Sequence, residues 1–136
     1  MQFEALDIKV WSKKNKEFQN IEVIDFIDKS VTTSKTFGSF DDYILLRYIG
    51  YNTDTGERIY ESDIIEYTYG GVKYYLLVIE TWEPELRLHC LNDYEGFEVL
   101  REEYNYSYEF LDYGNIKMIG NNYEDPKLSD KYDETI

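Results

Sequence analysis

His89 and Cys90 are the one pair of neighbouring residues that could supply a base and a nucleophile, because the chain holds one His and one Cys. Adjacent side chains on a strand point to opposite faces, so these two cannot act on one substrate atom. A zinc site would need carboxylates in place of a second His or Cys. We therefore predict a buried structural Cys90, no metal and no cofactor.

Asp54-Thr55-Gly56 matches the triplet that carries the catalytic carboxylate of aspartic proteases, where two such aspartates share a proton. In those enzymes the triplet lies between apolar segments, whereas polar residues flank it here. Such surroundings favour an exposed turn whose Asp bonds its own backbone. We predict a structural turn, although a homodimer could supply a second aspartate.

The 28 Asp and Glu residues could also contribute a carboxylate pair or a magnesium site. Nothing in their spacing selects a pair, and no phosphate-binding glycine loop is present. We therefore predict no catalytic, cofactor-binding or metal-binding residue. A small metal-dependent or carboxylate hydrolase is kept as an alternative function.

The formal net charge is −14, with 14 Lys and Arg against 28 Asp and Glu. Residues 1–37 are neutral, residues 38–91 carry −6 and residues 92–136 carry −8. A duplex binder neutralises phosphates with clustered Lys and Arg, so this balance argues against direct nucleic-acid binding. A second alternative is an acidic surface that mimics DNA and inhibits a basic host protein.

The compartment is predicted by elimination. One cysteine cannot form an internal disulfide, which fits a reducing cytoplasm. The first residues lack the basic and apolar regions of a signal peptide. The longest apolar runs, such as residues 74–79, are too short to cross a bilayer. We expect a cytoplasmic protein with no membrane partner.

The central part of the chain alternates strand and turn signals. The runs are rich in β-branched and aromatic residues, and the breaks carry Asp and Gly. Strands joined by such short turns favour an antiparallel meander or a small barrel. The predicted strands are residues 43–49, 57–60, 64–69, 72–79 and 86–91, with turns at residues 50–56, 70–71 and 92–96.

The ends of the chain are less regular. We predict an N-terminal hairpin in which residues 10–18, around a lysine turn, pair with residues 21–27, then a loop over residues 30–40. Residues 97–113 allow a helix that Gly114 stops or an alternating strand, and we favour the helix. The remaining predictions are a strand at residues 116–119, a helical turn capped at Asp125 and a frayed tail at residues 129–136.

Tyrosine is abundant, with 15 residues in the chain. It suits half-buried strand faces and protein interfaces, because one end is apolar and the other forms hydrogen bonds. We expect strand packing for most of them and a contact surface around residues 92–113. The predicted interaction residues are Glu102, Glu103, Tyr104, Tyr106 and Glu109.

Three separated stretches resemble the YopX family of phage and prophage proteins. Residues 48–65, which include Ile59-Tyr60-Glu61-Ser62-Asp63-Ile64, are similar to that family's turn followed by Ile-Tyr-Glu-Gly-Asp-Ile. Residues 118–128 resemble its Val-Ile-Gly-Asn-Ile-Tyr-Glu-Asn-Pro-Glu-Leu, and residues 9–18 resemble its opening. Ser62 stands where the family usually has Gly, which argues against a positive φ there. Asn122 replaces Ile, and Ser12 replaces Asp.

The resemblance implies a largely β fold with a barrel-like part, a phage or prophage origin and a bacterial host cytoplasm. With the composition it leads to an α+β class, predominantly antiparallel β, with a small SH3-like sheet region, an N-terminal β extension and a short C-terminal helical segment. We expect one domain over residues 1–136, with subregions 1–37, 38–128 and 129–136. The predicted function is a non-enzymatic accessory protein that contacts an unknown host or phage protein, and a homo-oligomer is left open.

Overall fold

The computed structural model describes residues 7–81 and 85–133. The chain divides into two compact units, Met1–Tyr48 and Ile49–Ile136. Most of the leading extension and the break expected at Glu83-Pro84 lie outside the described residues, as do the last three residues of the expected tail. Each unit has its own core.

The first unit contains two small antiparallel arrangements. β1 (Ile8–Ser12) pairs with β2 (Glu17–Gln19) and with the start of β6 (Tyr43–Asn52). β3 (Ile21–Asp25), β4 (Ser30–Thr33) and β5 (Phe37–Ser39) form a three-stranded sheet, and a 3₁₀ helix (Phe40–Asp42) leads into β6. The core of this unit includes a cluster of buried residues: Val10, Val31, Tyr43 and Leu45.

The predicted hairpin at the lysine turn is confirmed by the pairing of β1 with β2, but its continuation is wrong. Residues 21–25 pair with β4, which lies in the stretch that we predicted as a loop. A polar strand residue is accommodated here because the hydroxyl of Thr33 finds partners inside the unit. The Thr33 hydroxyl donates to Gln19 Oε1 at 2.8 Å and accepts from the Thr36 backbone N at 2.9 Å.

The second unit is built around a sheet in the order β10-β9-β8-β11. The predicted hairpin at Gly70-Gly71 is confirmed, since β8 (Asp63–Tyr69) and β9 (Val72–Val78) pair with Tyr69 opposite Val72. β10 (Leu88–Cys90) follows β9 at one edge, and β11 (Asn115–Asn121) returns beside β8. β8, β9 and β10 therefore form a meander, and β11 adds a fourth strand at its other edge.

The turn at residues 53–57 joins β6 to β7 (Arg58–Tyr60), as predicted. The Thr53 backbone N donates to the Glu57 oxygen at 2.8 Å, and Gly56 has φ +88°, a value that favours glycine. The positive φ accounts for the glycine of the Asp-Thr-Gly sequence.

The helix predicted over residues 97–113 is confirmed in its first part, residues 97–103, whereas residues 104–108 are not helical. α1 (Tyr94–Glu103) is followed by a second 3₁₀ helix (Glu109–Tyr113) that ends at Gly114. The turn predicted at residues 92–96 is wrong, because Asp93 caps α1 by accepting from the Gly96 backbone N at 3.0 Å. α2 (Leu128–Tyr132) occupies part of the tail that we expected to fray, and its N-cap is Lys127. The turn before it is capped at Asp125 as predicted, since Asp125 Oδ1 accepts from the Lys127 backbone N at 3.3 Å.

Aromatic residues fill the core of the second unit. Tyr67 of β8 lies 5.6 Å, ring centre to ring centre, from Phe110, which lies 5.5 Å from Phe97 of α1. All three are buried, and the Tyr67 hydroxyl donates to the Phe110 carbonyl. The predicted α+β class, mainly antiparallel with a barrel-like sheet region, is confirmed. Within the described ranges, no helix is long and apolar enough to span a membrane.

Candidate functional site

The tight turn between β7 and β8 holds a buried polar cluster, made of Glu61, Ser62, Asp63 and Asn121 of β11. Asp63 accepts from the Tyr60 backbone N at 2.8 Å and from Asn121 Nδ2 at 2.9 Å. Glu61 Oε2 accepts from the Thr81 backbone N at 2.9 Å. A buried carboxylate without hydrogen-bond donors would be costly, and these donors remove that cost. The carboxylates in turn hold the backbone of the turn in place. We call this group the turn cluster.

Ser62 has φ +70°, so the expectation that a serine would avoid a positive φ here is wrong. Its backbone N donates to the Val78 oxygen at 2.8 Å, and its oxygen accepts from the Asn122 N at 3.0 Å. Its hydroxyl accepts from Asn121 Nδ2 at 2.8 Å. Neighbouring strands thus impose the left-handed conformation that a glycine would adopt more easily.

A pocket of about 230 Å³ opens beside the turn cluster. Its polar lining includes Ser62, Glu80, Asn122 and Tyr123, and its apolar wall is the end of β9 with Ile79. The Tyr123 hydroxyl donates to the carboxylate of Glu80. Burial, and then this negative partner, raise the pKa of Tyr123, so its proton stays in place at neutral pH.

Asn122 Oδ1 is buried and has no hydrogen-bond partner among the described residues. A buried acceptor without a donor costs free energy, and native proteins keep few such groups. Asn122, which lines the pocket, therefore carries an orphaned acceptor that the packed chain closes off. Sequence reasoning identified Asn122 only as a departure from the family pattern.

The predicted interaction residues lie at the end of α1 and in the segment that follows it. Glu102, Glu103 and Glu109 are exposed, and Tyr106 is 56% exposed, with its hydroxyl 3.3 Å from Glu102 Oε1. Tyr104 instead packs against the core of the unit, and its hydroxyl lies 3.0 Å from that of Tyr69. Tyr104 thus holds the segment in place, while the other four face solvent. We call residues 98–113 the acidic loop surface.

The backbone of this surface is held by a Schellman motif. Tyr106 N donates to the Arg101 oxygen at 2.7 Å and Asn105 N to the Glu102 oxygen at 3.0 Å, as in a helix that ends in the left-handed region. Asn105 and Tyr106 have φ of +54° and +61°. Asn tolerates this conformation, whereas for Tyr it is unusual.

Arg101 is the residue on this surface that sequence reasoning missed. Its guanidinium carbon lies 5.7 Å from the ring centre of Tyr106 and 5.1 Å from that of Tyr108. Its Nη1 lies 3.6 Å from a carboxylate oxygen of Glu98. Arg101, the one basic residue of this segment, therefore contacts two rings and one acid, and the exposed acids Glu102, Glu103, Glu109 and Asp112 make the surface negative.

Both tyrosines of the prediction carry raised pKa values. The hydrogen bond with Tyr69, followed by burial, raises the pKa of Tyr104 to about 12. The negative charge of Glu102 is the largest cause of the raised pKa of Tyr106. Both phenols are therefore neutral at pH 7, and the charge of the acidic loop surface comes from its carboxylates.

Asp54 has a structural role that differs from the one predicted. It is exposed in the turn, as expected, but it does not cap its own backbone. Its Oδ1 accepts from the Ile116 N at 3.0 Å, and its own N donates to the Ile116 oxygen at 2.9 Å. Asp54 therefore attaches the turn to β11.

Cys90 is buried and His89 is exposed, which confirms that they lie on opposite faces of β10. Burial raises the pKa of the Cys90 thiol, so the sulfur is a poor nucleophile. In the described part of the chain, no group of three or more His, Cys, Asp or Glu side chains is arranged to hold a metal ion.

Comparison with known proteins gives one family and one related fold. A family model described as YopX protein matches residues 3–130. The crystal structure of protein EF1440 from Enterococcus faecalis is similar to this structure, with a TM-score of 0.54 and 17% sequence identity. The alignment covers 90% of this chain and 96% of that chain. At that identity the similarity concerns the fold alone. No curated protein matches the chain.

Proposed function

The chain belongs to the YopX family, and we propose that it acts as a phage or prophage accessory protein in the cytoplasm of a bacterial host. On this proposal it works without catalysis, by binding a host or phage protein. The acidic loop surface is the contact region. Direct binding to nucleic acid and to membranes is not part of the proposed role.

The observation that carries the proposal is the concentration of charge in the second unit. Residues 49–136 hold 20 acidic and seven basic residues, so they account for −13 of the net charge of −14. On the acidic loop surface, four exposed carboxylates (Glu102, Glu103, Glu109 and Asp112) accompany the exposed rings of Tyr106 and Tyr113. Tyrosine is enriched at protein interfaces, and fixed charge of one sign steers a partner of the other sign.

The partner should therefore present Lys and Arg. Its association rate should fall as salt is added, because charges more than about 10 Å apart are screened at 0.1 M ionic strength. If its basic patch normally binds DNA, the chain would act as a DNA mimic. The same negative charge supports this second role. The two roles can be told apart because duplex DNA would displace the chain from its partner only if the chain is a DNA mimic.

The test is charge reversal followed by capture from a lysate of lysogenic cells. A variant with Glu102→Lys, Glu103→Lys and Glu109→Lys should lose at least one partner that the wild-type chain retains. The matched control reverses three exposed acids elsewhere, Glu22, Glu57 and Asp130, and should keep that partner. If both variants lose the partner, net charge rather than the acidic loop surface explains the loss.

An unchanged partner list in the first variant would remove the acidic loop surface from the proposal. Where a partner is lost, adding duplex DNA to the wild-type capture separates the two roles. Release by DNA at constant salt favours the DNA mimic, and retention favours an accessory contact that does not involve a DNA-binding site.

A further inference from the structure

We propose that two copies of the chain associate through the outer face of the three-stranded sheet in the first unit. The face is formed by β3, β4 and β5, whereas the function proposed above uses the acidic loop surface of the second unit. The two proposals therefore stand independently. We call this surface the outer sheet face, and its residues are Val23, Asp25, Ser30, Thr32, Phe37 and Ser39.

The register of the three strands separates an inner row of side chains from an outer one. In the inner row, Ile24 lies opposite Val31, which lies opposite Gly38. Val31 is fully buried, and Ile24 packs against the same core. A Cβ at Gly38 would come within 3.1 Å of the Tyr43 ring. This row therefore faces the core of the unit.

The neighbouring row faces away from the core and is largely apolar. Val23 lies opposite Thr32, which lies opposite Phe37. Directly opposite side chains in an antiparallel pair share a face, so these three stand side by side. Val23 is 55% exposed and Phe37 is 73% exposed. A sheet that covers a core on one side normally carries polar residues on the other, so an apolar row here indicates a contact surface.

Two more exposed apolar residues follow at the turn between β3 and β4. Phe26 is 56% exposed and Ile27 is 94% exposed. Asp25 Oδ1 accepts from the backbone N of Ile27 at 2.9 Å and of Asp28 at 3.0 Å. The Phe26 ring lies 5.8 Å, centre to centre, from that of Phe40. These contacts fix the turn, so the exposure of its apolar residues is built into the fold.

The distribution of charge favours a second copy of the chain as the occupant. Residues 1–48 hold eight acidic and seven basic residues, a net charge of −1, whereas residues 49–136 carry −13. Two second units would repel each other. Two outer sheet faces can meet with little repulsion, because Asp25 is the single charged residue of each. A partner selected by opposite charge would find little to recognise on this face.

The outer sheet face is also complementary to itself. Because strands lie about 4.8 Å apart, Val23 and Phe37 are about 10 Å apart on either side of Thr32. A two-fold axis parallel to β4 beside Thr32 places Phe37 of one copy over Val23 of the second copy, and the same contact recurs on the other side of the axis. The larger side chain thus faces the smaller one at both contacts.

The size of the face determines the strength of the association. It is three strands wide, and each strand has three to five residues. A contact of this extent buries less than the roughly 1,200–2,000 Å² of a stable interface. We therefore expect a reversible dimer that forms at high protein concentration.

The experiment is sedimentation velocity of the full chain from micromolar to millimolar concentration. We expect a monomer–dimer equilibrium that added salt leaves unchanged or strengthens, because salt screens the repulsion between two acidic chains. Independently, the amide NMR signals of Val23, Thr32 and Phe37 should shift with concentration. Weakening by salt would instead indicate a contact between the basic and acidic regions of two copies, and would overturn the proposal.

Val23→Asp and Phe37→Asp should each raise the dissociation constant of the dimer at least tenfold. Val72→Asp makes the same charge change at an exposed valine of the second unit and should leave it unchanged. Mixing Val23→Asp with Phe37→Lys should restore association that neither variant shows alone. One contact of the mixed dimer is then native, and the other joins opposite charges. Urea unfolding midpoints establish that each variant is folded.

Three results would overturn the proposal. They are a monomer at every concentration, a dissociation constant that Val23→Asp and Phe37→Asp leave unchanged, and equal weakening by Val72→Asp. Failure of the mixed variants to associate would overturn the two-fold arrangement. Charge reversal of Glu102, Glu103 and Glu109 should leave the dimer intact, so this proposal and the proposed function can fail separately.

Discussion

At the scale of single residues, the family-like positions act mainly as donors and acceptors inside the fold. Glu61 and Asp63 are almost fully buried, yet each accepts from a backbone N–H. Such hydrogen bonds offset part of the cost of burying a carboxylate. Their types alone suggest chemistry, whereas their contacts give them a structural role.

Ser62 allows the strain at the turn to be separated from its hydrogen bond. Ser62→Ala removes the hydroxyl but keeps a side chain at φ +70°, whereas Ser62→Gly removes both the hydroxyl and the strain. Because the left-handed region costs about 1–2 kcal/mol for a residue with a Cβ, the Gly variant should be more stable than the Ala variant by about 1 kcal/mol. Urea unfolding of the two variants measures this difference, and equal midpoints would contradict it.

Asp54 tests whether the turn is attached to β11 through its side chain. Asp54→Ala should lower the free energy of unfolding by about 1 kcal/mol, since the Ile116 N would lose its acceptor. Asp54→Asn retains an oxygen in the same place, so its free energy of unfolding should fall by less. If the two variants lose the same amount in urea unfolding, the carboxylate charge rather than the hydrogen bond is what matters.

At the scale of elements, the end of α1 determines how the acidic loop surface is presented. The Schellman motif requires a left-handed residue, and Asn105 occupies that position with φ +54°. The next residue, Tyr106, is also left-handed, and this brings its ring to the guanidinium of Arg101. The exposed tyrosine is therefore positioned by a helix end and not by a strand.

Asn105 gives a prediction with opposite signs for two small substitutions. Asn105→Gly should raise the free energy of unfolding by about 0.5 kcal/mol, because glycine enters the left-handed region without steric cost. Asn105→Ala should lower it by about 1 kcal/mol for the converse reason. Unfolding in urea decides the order, and a more stable Ala variant would show that this helix end is not left-handed in solution.

At the scale of the whole molecule, tyrosine links stability to alkaline pH. The pKa values of Tyr51, Tyr67, Tyr74, Tyr104, Tyr106 and Tyr123 are all raised by burial, hydrogen bonds or nearby negative charge. For Tyr104 the value is about 12 in the folded protein against a reference of 10.0. The folded state thus holds protons that the unfolded chain releases at lower pH.

We therefore expect stability to be retained up to about pH 10 and to fall as the pH rises from there toward about 12. Urea midpoints measured across this range, together with the ultraviolet absorbance of phenolate, would follow both processes. Tyr104→Phe should reduce the slope of midpoint against pH, since it removes one of the linked protons. A midpoint independent of pH in this range would contradict the prediction.

The sequence by itself determined the class of fold and its most regular turns. Strand runs rich in β-branched and aromatic residues, and glycines at positions 56, 70 and 71, act locally, so their consequences follow from neighbours in the chain. Cys90 on a strand face and the helix after Asp93 also follow from short-range pattern, although the boundary of that helix required the Asp93 cap to be recognised.

Only the tertiary structure decided which distant groups meet. Asp54 bonds a residue 62 positions away, and Asn121 bonds Ser62 across 59 positions, distances at which no local pattern carries information. For the same reason Ser62 adopts a positive φ against its own preference, because Val78 and Asn122 hold its backbone from two sides. The pocket and its orphaned amide oxygen are likewise products of strand pairing, since burial is a property of the packed chain.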